Sequence, residues 1–388
     1  MDAFTFSYPT KVYFGKGAAE KALPAELSRV GKTVMLAYGG GSIKWNGIYD
    51  AIMKELAGAG KTVVEFPGIM PNPTYEKVQE GAALVRGRQV DFILAVGGGS
   101  VMDCCKVVSV QALLGEDIWA YEYERKRIPA KGIPMGAVVT VSGTGSEMNA
   151  GAVITDEAKK WKGALWGAHA DFAALDPSYT DSVPSFQVFS GAFDTLSHAM
   201  ETYFGMSDGD NVSDDLALAV MKNTVTNMRR LLRDIHDSGT RSNLMWDSAM
   251  AENGILKCGR LTDFQAHQIE HQLGAYTDCN HGAGLAVVQP VYYRHILKDA
   301  PEKFARFGKE VFGVKSGEEA VDALVRFIES CGLPTSMGEL KSKVEITPAL
   351  LRQVASTVNL VQTGPRMLSH DEVYDILMET MPDAAKKA

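Results

Sequence analysis

Between about residue 10 and residue 180 the chain alternates short apolar runs with longer segments of helical period. Thr33–Tyr38, Thr62–Phe66, Phe92–Val96 and Ala137–Val141 are blocks rich in β-branched and other apolar residues, which marks the buried strands of a parallel sheet. Gly47–Ala59 and Tyr75–Arg86 lie between such runs and carry helical periodicity, so this half is predicted to be βαβ units wound around the sheet. After Pro184 the strand runs stop. Thr347-Pro348 sets an N-cap before a proline suited to the first helical turn, and Ser316–Glu319 and Ser369–Glu372 fit capping boxes, so the second half is predicted to be all helical. The turn-rich Asp176–Pro184 segment marks the change of period, giving two domains, 1–183 and 184–388. Apolar alternation on both sides of Pro9, from Phe4 to Phe14, predicts a hairpin at the sheet edge. Such an edge invites pairing with a second copy, so a homodimer is expected. Ala384–Ala388 is expected to be a frayed end.

Composition narrows the class. The chain has 388 residues, 46% of them hydrophobic, and a formal net charge of −8, which argues against a nucleic-acid-binding surface. No basic segment followed by an apolar run opens the sequence and no stretch reaches the length of a membrane span, so a cytoplasmic protein with no membrane partner is expected. The five cysteines are scattered, without Cys-x-x-Cys spacing, and are expected to be reduced thiols. Cys279, two residues before His281, either lines a site or packs as a small buried side chain.

Two groups of residues carry candidate chemistry. Asp194 and His198 stand at i, i+4, and so do His267 and His271; each pair shares one helix face and can turn donors to a common point. Alone, either pair is also the pattern of an ordinary surface or core pair. His281, between Asn280 and Gly282, adds a third element, because a turn feeding a helix directs its ring back to the same place. Four of the eight histidines lie in these elements. One carboxylate with imidazoles suits Fe(II) or Zn(II) better than magnesium or calcium, which prefer oxygen shells. The second group is glycine-rich. Gly97-Gly98-Gly99-Ser100 follows a strand and opens a helix holding Asp103 and Lys106, where an α/β fold grips phosphate. Gly39-Gly40-Gly41-Ser42, with Lys44 behind it, ends an earlier strand, and Ser142–Glu147 ends a later one. Three such turns on one sheet outline a dinucleotide cleft, although steric need alone also places glycine in strand-to-helix turns, and the ordinary Gly-x-Gly-x-x-Gly fingerprint is absent from the first two.

Taken in order, Pro71-Asn-Pro-Thr74, Gly97-Gly-Gly-Ser-x-x-Asp103-x-x-Lys106, Thr144-Gly-Ser-Glu147, Asp194-x-x-x-His198, His267-x-x-x-His271 and Asn280-His-Gly282 resemble the iron-dependent, or group III, alcohol dehydrogenases, over essentially the whole chain. Within that family the chain looks most like the butanol dehydrogenase and broad aldehyde reductase branch. Cys105, where Ala is usual, is a small departure. The resemblance implies a dehydroquinate-synthase-like fold, an α/β dinucleotide-binding domain followed by an all-α metal-binding catalytic domain. It implies Asp194, His198, His267 and His281 as ligands of Fe2+, with Zn2+ the alternative. It places His271 near the nicotinamide, for proton relay, cofactor orientation or packing, and Lys162 near the active site. Gly97, Gly98, Gly99 and Ser100 would hold the pyrophosphate, with Asp103, Asn72, Thr140, Thr144, Tyr179 and Val183 lining the cofactor site.

The implied reaction is hydride transfer between a nicotinamide cofactor and a small alcohol or aldehyde, with the metal polarising the substrate oxygen. The alternatives are a lyase or a polyol dehydrogenase on the same fold, or a nucleotide-binding protein with a structural metal. NAD-using relatives commonly carry Asp just after the strand that ends at Tyr38. Here Gly39, Gly40, Gly41 and Ser42 stand there with Lys44, so nothing in the turn repels a 2′-phosphate and NADP(H) is expected, unless the glycines merely make a tight turn that admits both cofactors.

Overall fold

The computed structural model describes residues 1–205 and 211–382; the expected frayed end at Ala384–Ala388 lies outside the described residues. Contacts divide the chain into two units. One holds Ser7–Lys159 and Gly163–Val183; the other runs from Pro184 onward and includes Met1–Phe6 and Lys160–Lys162.

The first unit is α/β. Its strands are β1 (Lys11–Phe14), β2 (Thr33–Tyr38), β3 (Thr62–Phe66), β4 (Phe92–Gly97), β5 (Met135–Val139), β6 (Gly151–Asp156), β7 (Trp161–Trp166, of which Trp161 and Lys162 count with the other unit) and β8 (Phe172–Leu175). Its helices are α1 (Ala18–Leu27), α2 (Ser42–Trp45), α3 (Ile48–Gly58), α4 (Tyr75–Arg88) and α5 (Gly99–Gln111). Six strands form one sheet in the order β1-β8-β5-β4-β2-β3, and β6 with β7 forms a separate ladder. Every pairing in the large sheet is parallel. β2 and β4 are buried on both faces, which explains why their sequences read as continuous apolar runs. Val34, Leu36, Leu94 and Val96 face one way and join Leu23 of α1 and Ile52 and Leu56 of α3 in one core, while α4 packs against α5. Successive connections change direction at β2 and β4. β3 lies outside β2, whereas β5 and β8 follow on the far side of β4, so the sheet has its switch point between β2 and β4.

The second unit is helical among its described residues after Pro184: α6 (Ser185–Tyr203), α7 (Val212–Leu231), α8 (Ser238–Glu252), α9 (Gln265–Thr277), α10 (His281–Ile296), α11 (Pro301–Phe307), α12 (Gly317–Ser330), α13 (Pro348–Thr357) and α14 (His370–Glu379). The expected caps form. Thr347 Oγ1 accepts from Leu350 N–H, and both capping boxes, Ser316 with Glu319 and Ser369 with Glu372, are complete. α6 is buried along its length from Phe189 onward, and α10 is nearly so. Phe204, just past α6, stacks on Phe304 at 4.1 Å between ring centroids, fixing that end of α6 in the core. None of the described helices is long and apolar enough to cross a membrane.

Two expectations are corrected. No hairpin forms around Pro9: Met1–Thr10 contain no strand, and only β1 forms, as a parallel edge strand on β8. Pro9 has no N–H to give to a ladder, and the segment before it is held elsewhere, with Asp2 N–H donating to Gly259 O at 3.0 Å in the helical unit. The run expected at Ala137–Val141 forms at Met135–Val139 instead. Its Gly136 carries no apolar signal, yet it is the register partner of Phe172.

That pairing predicts a stability effect. A Cβ at Gly136 would overlap the Phe172 ring, which is already stacked on Phe92 at 6.1 Å and met edge-on by Tyr13 at 6.5 Å. Gly136→Ala is expected to cost about 1–3 kcal/mol through overpacking, seen as a lower thermal midpoint by circular dichroism. An unchanged midpoint would show that the ring has room to move.

Candidate metal centre and nucleotide-binding turns

Three helices build the centre. Asp194, His198 and Glu201 occupy positions i, i+4 and i+7 of α6 and so share a face. His267, Glu270 and His271, at i, i+3 and i+4 of α9, likewise share a face. His281 is the first residue of α10, whose N-cap Asn280 accepts from Ala283 N–H at 3.0 Å. Asn280 also accepts from Ser190 Oγ and donates to Gln187 Oε1 at 3.1 Å, which ties the start of α10 to α6. A Cβ at Gly282 would overlap the Ser190 carbonyl, so this close approach requires glycine.

Around Asp194 Oδ1 stand His198 Nδ1 at 3.6 Å, His267 Nε2 at 3.6 Å and His281 Nε2 at 3.3 Å. Asp194 Oδ1, His198 Nδ1 and His267 Nε2 are buried and have no hydrogen-bond partner. Donors of Asp194, His267 and His281 lie within 4.8 Å of one another. His198 is outside that triple, its ring stacked on His267 at 4.5 Å. Two donors bound about 2.1 Å from one ion sit about 3.0–3.5 Å apart, so the spacing and the orphaned atoms together fit a transition-metal ion. The chemistry of the donor set fits as well, one carboxylate with nitrogen ligands.

Two residues that the sequence reading missed anchor this set. Glu201 Oε2 engages His267 Nδ1, and Glu270 Oε2 engages His281 Nδ1. Each carboxylate thereby fixes an imidazole whose other nitrogen faces Asp194, the arrangement that orients metal-binding histidines. Glu201 also accepts from Ala266 N–H at 2.7 Å and His267 N–H at 3.2 Å. It thus serves as the missing cap of α9, whose own N-cap residue Phe264 offers none. Glu270 is buried against Gly274 of its own helix and Gly284 of α10, with Lys162 Nζ 3.5 Å away. The available signal was an acid three residues beyond a candidate ligand on an otherwise buried face.

Electrostatics follow from burial and pairing. Burial pushes the Asp194 carboxyl up, but the surrounding histidines outweigh it and hold the group well below its usual range. Burial likewise opposes charge on His267, yet Glu201 and Asp194 raise it to about 10, and His281 rises against burial through Glu270 and Asp194. Burial, then the Lys162 charge, hold His271 well below the usual imidazole value. It is neutral, with Nδ1 unpartnered. Phe264 lies with its ring 6.0 Å from His198 and 5.2 Å from His267, an apolar wall for the centre.

In the α/β unit, the glycine turns follow β2, β4 and β5, three adjacent parallel strands, so all three stand at one edge of the sheet and two flank the switch point. α5 starts at Gly99 without a side-chain cap on its free amides, as a phosphate site requires. Cβ atoms at Gly97 and Gly99 would overlap Val101 and Thr144, so packing also accounts for those two glycines. Gly40 is different: a Cβ there meets nothing within 4 Å, and packing gives no reason for its missing side chain. Asp103 accepts from Ser146 Oγ and from Val153 N–H at 2.9 Å. Lys106, fully buried, donates to Ser146 Oγ at 2.7 Å, Asn149 Oδ1 at 3.1 Å and Gly151 O at 2.7 Å. These two residues brace the turn after β5 against α5. Within the same edge, Thr140 N–H donates to Gly97 O at 2.9 Å, and Thr144 Oγ1 accepts from Ser146 N–H at 3.1 Å. Asn72 adopts a left-handed conformation before α4. Tyr179 donates to Glu20 at 3.3 Å, and Val183 ends the unit.

One expectation about the turn after β2 is corrected. An acid does stand beside Lys44: β3 pairs with β2 and brings Glu65 Oε2 to 3.4 Å from Lys44 Nζ. A strand partner distant in sequence supplies the charge, so inspection of the turn alone does not find it.

Residues 9–177 match the family described as iron-containing alcohol dehydrogenase, and residues 188–381 match the C-terminal part of the Fe-containing alcohol dehydrogenase family. A probable NADH-dependent butanol dehydrogenase of Bacillus subtilis (strain 168) is 37% identical over 87% of this chain and 90% of its own length. An NADPH-dependent aldehyde reductase of Escherichia coli (strain K12) is 33% identical, covering 97% of this chain and 98% of its own. The crystal structure of NADH-dependent butanol dehydrogenase A from Thermotoga maritima superposes with a TM-score of 0.92 at 32% identity, over 98% of this chain and 99% of that one.

The centre predicts graded losses. Asp194→Ala or His267→Ala is expected to abolish stoichiometric Fe(II) or Zn(II) binding while the helical fold survives, since neighbours cannot replace a lost donor. Glu201→Gln, which retains an acceptor, is expected to weaken metal binding by about 10–100-fold. Metal content after dialysis, measured beside circular dichroism, checks both; full occupancy in either alanine variant would sink the ligand set.

Proposed function

This chain belongs to the iron-containing alcohol dehydrogenase family, and we propose that it transfers a hydride between NADP(H) and a primary alcohol or aldehyde at a centre that uses iron(II) or zinc(II). The observation that carries this reading is the convergence of three imidazoles on the buried Asp194 carboxylate, two of them held from behind by Glu201 and Glu270. Asp194, His198, His267 and His281 are the residues that would hold the ion, which when bound supplies Lewis acidity toward a carbonyl or alcohol oxygen.

The chain's own groups prepare that chemistry. Glu201 and Glu270 hold Nδ1 of His267 and His281, so that Nε2 of each ring faces the centre and would need no reorientation once its proton leaves. Phe264 excludes water from one side. His271, neutral and buried, offers Nδ1 as the place where a proton is accepted or released, and Lys162 holds a positive charge beside Glu270. On the α/β unit, the uncapped amides of Gly99 and Ser100 would hold the pyrophosphate. The open turn Gly39–Gly41, with Ser42 and Lys44, would hold the adenosine 2′-phosphate, and Asn72, Asp103, Thr140, Thr144, Tyr179 and Val183 complete the cofactor site. We also propose a homodimer, with β1 as the open edge of the sheet; sedimentation at a monomer mass would exclude it.

Initial rates with butanal, the metal-loaded protein and each reduced cofactor test the reading. Turnover with a higher kcat/KM for NADPH is expected; a higher value for NADH overturns the cofactor assignment, and no turnover of aldehydes of any length overturns the activity. Gly40→Asp has room for its side chain and is expected to lower kcat/KM for NADPH by about tenfold more than for NADH, since a carboxylate repels the 2′-phosphate.

A further inference from the structure

The turn after β2 carries more than the open glycines. Glu65, near the end of β3, accepts from the hydroxyl of Tyr38 on β2, from Tyr49 Oη on α3 at 2.7 Å and from Lys44 Nζ on α2 at 3.4 Å. Hydrogen bonds from Tyr38 and then Tyr49 lower its pKa, so it is an ionised carboxylate. Its side chain and that of Lys44 are 40% and 45% exposed, open enough for a ligand to reach both. Lys44 does not depend on Glu65 for its position, because its ammonium also lies over the rings of Tyr49 at 4.6 Å and Tyr38 at 5.2 Å.

We infer that Glu65 is a specificity-determining residue that weakens the 2′-phosphate site by competing with the phosphate for Lys44. The inference rests on the proposal that this turn receives the adenosine end of the cofactor. Lys44 is the cation of that turn, and a carboxylate in contact with it cancels much of the attraction it would offer a phosphate carrying up to two negative charges. The same carboxylate adds its own repulsion. A free 2′-hydroxyl meets neither penalty. The cluster therefore narrows the preference for NADP(H) over NAD(H) that the glycines and Lys44 create, and it lets one site accept both cofactors.

Titration calorimetry on the full chain with NADP+ and with NAD+ tests this without turnover. Glu65→Gln removes the charge and keeps a polar partner for each tyrosine hydroxyl, the amide oxygen accepting from one and the amide N–H donating to the oxygen of the other. Its Kd for NADP+ is expected to fall by about tenfold, with NAD+ unchanged within about twofold. The gain is expected to vanish when Lys44→Met is added, and to shrink at about 0.5 M salt. Weaker or unaltered NADP+ binding in Glu65→Gln, or an equal change for NAD+, overturns the inference. The ratio of the two affinities in the unmodified protein tests the underlying cofactor reading separately, because a protein that prefers NAD+ can still show the gain in Glu65→Gln.

Discussion

The helical unit depends on two buried carboxylate–imidazole pairs, Glu201 with His267 and Glu270 with His281. Both glutamates are fully buried, and an unpaired carboxylate at such a position would be severely destabilising. Each is satisfied only if three helices meet in one arrangement. Glu201 leaves α6 to cap α9, and Glu270 leaves α9 to hold the first residue of α10. Asn280 closes the circuit by joining the start of α10 to Ser190 and Gln187 of α6. The groups that orient the candidate ligands are therefore also the groups that set the helix packing, so local precision at Asp194 needs no separate device.

The α/β unit solves a similar problem with a different bond set. A glycine turn at a strand end is free to move unless something stiffens it, and a phosphate grip works by preorganised amides. Here Lys106 and Asp103, one turn apart on α5, take opposite sides of Ser146: the ammonium donates to its oxygen and the carboxylate accepts from it. The turn after β5 is thereby fastened to the helix that begins at the turn after β4. Burying a lysine completely is tolerated because three oxygens receive its protons.

Much of this was legible in the sequence, for a physical reason in each case. β2 and β4 were legible because strands buried inside a parallel sheet need no alternation, and the helix starts at Ser316, Thr347 and Ser369 because capping chemistry is local. The grouping of Asp194 with His198, and of His267 with His271, followed from helical spacing. What stayed hidden was long-range. Glu201 serves a histidine 66 positions away and Glu65 a tyrosine 27 positions away, and no local period signals either. β8 is only four residues long, too short to show a period. The hairpin expected at Pro9 failed because alternation reports an extended chain but not what it pairs with.

Charge at the candidate centre shows the same dependence on distant partners. Asp194, Glu201 and Glu270 are buried together, with Lys162 Nζ 3.5 Å from Glu270, and acids in an interior are tolerated only where positive groups answer them. Burial opposes charge on His267 and His281, yet the neighbouring carboxylates shift both toward the charged form. The attraction that draws protons to these rings would equally favour a cation beside Asp194 Oδ1, where binding would release protons and the nitrogen donors would suit iron(II) or zinc(II) better than magnesium or calcium.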